Sequence, residues 1–201
     1  MQQSTTWLTT TRLTRRGGRA ALLLVALVLS ACAGPPTPSP TPAGSGYVCA
    51  FAGTGATLAF EGKRLNFTCD PQGGKEVGLL GDVVPGPQGW EMEMGVIAHG
   101  DEGFTLESSE MVTVLEIELS DGMHCPFAGT GASLAFEGKR LNFSCPRDGD
   151  NEVGLLGEVV LTDRGWEMER ATIAHTEQGS TLQSSELVPI AALIVAQQST
   201  P

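Results

Sequence analysis

The chain is short of aromatic side chains, of cations and of long apolar runs. Phe, Trp and Tyr make up 5% of its 201 residues. That is thin material for a large single-core enzyme, and with 26 glycines it suits a small β-rich body. Lys and Arg number 12 against 23 Asp and Glu, for a formal charge of −11. So acidic a chain lacks the basic footprint that phosphates require, and no nucleic-acid partner is expected. The one marked apolar run, residues 20–29, is roughly half the ~20 residues a membrane-spanning helix needs. CxxC and GxSxG motifs are absent, which removes the commonest signatures of thiol redox and serine-hydrolase chemistry.

What is present begins with an export address. Arg12, Arg15, Arg16 and Arg19 precede the apolar run with no acid among them, and small residues follow it. A basic start, a short apolar stretch and a small-residue cleavage point describe a signal peptide. Leu29-Ser30-Ala31-Cys32 resembles the lipobox of bacterial lipoproteins. The resemblance implies cleavage before Cys32, lipidation of its thiol with a palmitate-type anchor, and a place on the extracytoplasmic side of the cell envelope. Ala33 after the cysteine resembles the pattern that allows transfer to an outer membrane, where the host has one. An ordinary cleavage using Ala31 and Ala33 is the plain alternative. Residues 1–31 are thus read as signal peptide and 32–46 as lipidated cysteine plus a Pro-rich, semi-rigid spacer. Cleavage removes four arginines and no acids, taking the charge from −11 to −15.

The remainder is one unit written twice. Residues 49–119 align with 125–195 at a constant offset of 76, and 42 of the 71 pairs are identical. A period that long fits tandem domains better than a solenoid, so residues 47–121 and 122–198 are expected to form two homologous domains. Each reads as short alternating strands. Leu65, Phe67 and Cys69 share a face, as do Trp90, Met92 and Met94, and Met111, Thr113, Leu115, Ile117 and Leu119. Gly78 and Gly81 mark a bulge or bend. The expected fold is all-β, two tandem small barrels or sandwiches. About 71 residues is marginal for one core, and export permits disulfides. Cys49, Cys69, Cys125 and Cys145 allow three pairings; symmetry and spacing favour Cys49–Cys69 and Cys125–Cys145, one per repeat. The second repeat ends in a strand apolar on both faces, residues 190–195, which must be covered on both. It either packs between the repeats or docks on a partner or a second subunit.

Candidate chemistry is sparse. Three histidines are too few for a copper site of the superoxide dismutase type. Thioether, imidazole and an indole face suffice for Cu(I). Trp90, Met92, Met94 and His99, repeated as Trp166, Met168 and His175, resemble the residue types of periplasmic Cu(I)/Ag(I) carriers. Arg170 replaces Met94 in the second repeat, and His99 has the opposite strand parity from the Met pair unless a bulge at Gly95 restores it. Residues 148–152 carry hard oxygen ligands but lack a calcium-hand spacing. Ser108, Ser109, Ser184 and Ser185 lie where a histidine could reach them. Gly53-Thr54-Gly55 lacks the Lys and helix of a phosphate loop, and Asn66 and Asn142 begin glycosylation sequons.

These readings converge on a non-enzymatic, lipid-anchored binding or structural protein without cofactor or catalytic residues. Its expected partners are the membrane, through the anchor, and an envelope protein or small ligand. Two alternatives remain: an envelope Cu(I)-binding protein, and, by analogy with small acidic lipoproteins that block lysozyme, an inhibitor of a basic envelope-targeting enzyme.

Overall fold

The computed structural model describes residues 46–196; Cys32 and the segments read as signal and spacer lie outside them. Every regular element among the described residues is a strand. The first repeat supplies β1 (Gly46–Phe51), β2 (Ala59–Phe60), β3 (Lys63–Gln72), β4 (Lys75–Gly86), β5 (Gly89–Gly100) and β6 (Gly103–Leu119). The second supplies β7 (His124–Pro126), β8 (Ala135–Phe136), β9 (Lys139–Asp148), β10 (Asn151–Thr162), β11 (Gly165–Thr176) and β12 (Gly179–Ala196).

Local chemistry explains the hairpins. The two-residue loop Glu61-Gly62 closes Phe60 onto Lys63, with φ of 49° and 82°. Such a primed turn matches the right-handed strand twist. Glu137, at 50°, and Gly138, at 80°, repeat it. Gly78 faces Leu65 so closely that a Cβ there would lie 2.2 Å from its Cδ1. Gly81, at φ 70°, opens the bulge expected in β4: from Leu80 to Val84 the strand carries two more residues than β5 opposite it.

Pairing runs β7-β6-β5-β4-β3-β1-β12-β11-β10-β9-β8, with β6 also paired to β12. The path β6-β5-β4-β3-β1-β12 therefore closes into a six-stranded barrel, and the remaining strands extend it. The all-β expectation holds, but two tandem domains are not what the pairing shows, because the repeats exchange strands. β1 of the first lies against β12 of the second, Cys49 opposite Leu193. β7 of the second lies against β6 of the first, Cys125 opposite Ile117. The described residues fall in one compact unit. Its main core mixes Phe67, Leu79, Met92 and Ile117 with Phe143, Leu155, Met168 and Leu193, all fully buried. Each repeat keeps only a small private cluster, Phe60, Leu65, Leu80 and Ile97 in one and Leu141, Leu156, Ala171 and Ile173 in the other.

The strand expected to be apolar on both faces is inserted into the first repeat: residues 192–195 pair with β1 on one edge and β6 on the other. One expected face needs correction. Val112 and Val114 point inward, followed by Ile117 and Leu119, while Met111 is exposed. Between Val114 and Glu116, β6 has one residue, Leu115, that β12 does not match. That bulge flips the parity. Both expected disulfides form, Cys49–Cys69 and Cys125–Cys145. The second joins β7 to β9, where the backbone pairing is a single bridge, Phe127 to Phe143.

Candidate binding cleft

The β4–β5 turn of the first repeat lies against Phe127, just after β7 of the second. Gly89, at φ 143°, lies on the ring of Phe127; a Cβ there would sit 2.9 Å from it. Gly165 meets Phe51 in the equivalent place at 2.7 Å. The two contacts are related, but their surroundings differ. Beside Gly89 opens a cleft of about 750 Å³, within the usual size of small-molecule sites.

Its walls are mainly apolar: Pro85, Trp90, Phe127, Leu156, Val160 and Leu187. Lys139, Arg140, Asn142, Glu158 and Glu169 supply the polar groups. Most of these are already engaged. Lys139 donates to Glu169. Arg140 Nη2 donates to the carbonyls of Gly129 (3.3 Å) and Thr130. Asn142 Nδ2 donates to Gly157 O at 2.6 Å. The Lys139 hydrogen bond, with Ser185 adding a second, holds the Glu169 carboxyl below its ordinary value, and Glu169 raises Lys139.

The turn beside the cleft differs from its internal copy in residue size. The cleft has Pro85 and Gly86 where the second repeat has Leu161 and Thr162. Gly86 leaves room that the Glu91 carboxyl enters; a Cβ on Gly86 would fall 2.1 Å from Glu91 Cδ. In the second repeat Thr162 Oγ1 accepts from Arg164 N and donates to Gly165 O. There Arg164 Nη2 lies 2.6 Å from Glu167 Oε1. Trp90 lines the cleft, whereas the Trp166 indole N–H is buried without a partner.

No family model matches the chain, and no curated protein or solved structure does.

The structure separates the Cu(I) candidates. Trp90, Met92, Met94 and Met168 lie in the main core, Met92 and Met168 fully buried. His99 and His175 are exposed at strand ends. His99 Nε2 sits 2.5 Å from Glu76, its ring edge-on to Phe104 at 4.4 Å. The β5–β6 bulge falls not at Gly95 but on β6, where Glu107 is the extra residue. β5 therefore keeps its alternation, and His99 emerges opposite the Met face. Met92 and His99 are seven residues apart on one strand, about 23 Å at strand rise. Arg170, in Met94's place, binds Asp121 and Glu186. Among the described residues no three His, Cys, Asp or Glu side chains gather in a metal-holding group.

Two of the four candidate serines serve carboxylates. Ser109 and Ser185 hydrogen-bond to Glu93 and Glu169. Sequence reasoning missed Ser180, whose Oγ lies 2.8 Å from His175 Nδ1 while His175 Nε2 lies 2.7 Å from Glu152. This relay stands at the turn end of the β11–β12 hairpin, and none of its three residues lines the cleft. The carbonyls of Gly53 and Thr54 accept from Arg64 at 3.1 and 2.5 Å, so this turn points acceptors, not amides, at its neighbour. The cleft itself was missed, since its walls come from positions 85–90 and 127–187.

Proposed function

We propose that the chain is an envelope lipoprotein, anchored through Cys32, that acts by binding a small ligand in the Trp90–Leu187 cleft. On this reading the body is a pair of homologous modules locked by exchanged strands and held off the membrane by the Pro-rich spacer. Two oxidised cysteine pairs support an exported location. The cleft carries the binding reading: it is the right size, mainly apolar, and built by exchange between the repeats. Its turn also departs from the internal copy at Pro85 and Gly86, which line the cleft.

The test grafts the second turn onto the first. Pro85→Leu with Gly86→Thr should add bulk at the cleft wall at little cost to folding, since Gly86 has φ outside the left-handed region and the three atoms nearest a Cβ there all belong to the Glu91 carboxyl, the far end of a flexible side chain. Protein purified gently from its own envelope should show, by native mass spectrometry, a bound small-molecule mass that the graft loses. Equal bound mass in both proteins would remove the cleft from consideration.

A further inference from the structure

The charge arrangement of the cleft narrows the ligand class, an inference that rests on the binding reading above. Its charged side chains balance: Lys139 and Arg140 against Glu158 and Glu169. Both cations are exposed and already partnered, Lys139 by Glu169 and Arg140 Nη2 by two carbonyls. An anion that paired with either would do so in water, where an ion pair contributes little, while its own charge would be costly against the apolar walls. A cation fares little better. Among the described residues Glu158 has no ion pair, but it is exposed, and a pair made in water contributes little. The apolar walls gain nothing from ligand charge and gain in proportion to the apolar area covered. Val160 and Leu187 are 39% and 46% exposed, so they offer such area at the mouth.

We infer that the cleft selects an uncharged, predominantly apolar molecule, because its apolar walls reward covered area and its exposed, already partnered charges return little for a charge brought out of water. A neutral lipid body and a neutral aromatic metabolite share this chemistry.

The internal repeat supplies a matched control. Val84 is the counterpart of Val160, is equally exposed at 40%, and lines no part of the cleft. The neutral fluorophore N-phenyl-1-naphthylamine is titrated into the full protein and its Val160→Asp and Val84→Asp variants, with folding checked by thermal melts. Displacement is then measured with decanol, decanoate and decyltrimethylammonium, which share an alkyl body and differ in head charge. Saturable binding is expected, weakened about tenfold by Val160→Asp and less than about twofold by Val84→Asp. Decanol should displace at roughly a tenth of the concentration either ion needs. If an ion displaces as well as decanol at the Val160-dependent site, the uncharged class is wrong and the binding site stands. If the fluorophore does not saturate, or both variants act alike, the cleft and the inference fall together. The competitor ranking on the unmodified protein decides between classes even if a variant misfolds. A chain-length series of alcohols against fused-ring aromatics then separates lipid from aromatic sources.

Discussion

At the scale of single residues, two buried asparagines hold the bulges that shape each half. Asn66 is the one residue of β3 left unmatched between the pairs Leu65–Leu80 and Phe67–Leu79. It is 4% exposed, and its Nδ2 donates to Gly81 O at 2.6 Å. One side chain thus satisfies the carbonyl that the positive-φ Gly81 turns away from the ladder, and Asn142 does the same for Gly157. Asn66→Ala should lower unfolding free energy by about 1–3 kcal/mol, the cost of an orphaned buried acceptor. Urea unfolding measures it, and a loss below about 0.5 kcal/mol, the range of ordinary surface changes, would show that the bulge stands without its anchor. This role was not legible beforehand. Asn66 read as the start of a sequon, and a side-chain-to-backbone bond spanning 15 residues leaves no local pattern. Gly81 was legible, because glycine inside an alternating strand already signals a bulge.

At the scale of elements, equivalent ion pairs tie the strand after each primed turn to the strand two places along the sheet, across the strand between them. Lys63 binds Glu93, and Lys139 binds Glu169. Both glutamates titrate below 4.5, chiefly through the lysine hydrogen bond and then through Ser109 or Ser185. A carboxylate with a lowered folded value contributes stability that is complete above 4.5 and lost as pH falls through the lower value. The lysines, raised above 10.5, describe the same pairs from the alkaline side, where their contribution fades as pH climbs past the raised value. Melting temperature should therefore fall on acidification below about pH 4.5. In the double variant Lys63→Met, Lys139→Met that acid limb should be shallower. Superimposable limbs would mean that other carboxylates govern acid unfolding. The hairpins and the cysteine partners were readable from alternation, turn residues and spacing. The faces of β6 were not, because Glu107 and Leu115 each insert one unmatched residue, and alternation alone cannot locate such a slip.

At the scale of the whole molecule, neither repeat closes without the other. β1 needs the end of β12, and β7 needs the end of β6. Residues 46–121 produced alone should not behave as a monomeric barrel; sedimentation should find an unfolded chain or a pair of copies exchanging strands. A stable, cooperatively melting monomer would contradict the shared core. The repeat itself was plain in the sequence. Its consequence was not, since side-chain periodicity tells which face a strand buries and says nothing about which neighbour its edge finds. The cleft escaped notice for a related reason. Pro85-Gly86 facing Leu161-Thr162 is visible as a mismatch, but only the exchange sets that turn against Phe127.

The pairing of Gly46 with Ala196 brings the two ends of the described chain side by side. A short link across them and a cut within residues 120–123 would write the second half first and move no strand. The two halves behave like the beads of a closed ring, in which the point where reading starts is a matter of synthesis and not of architecture.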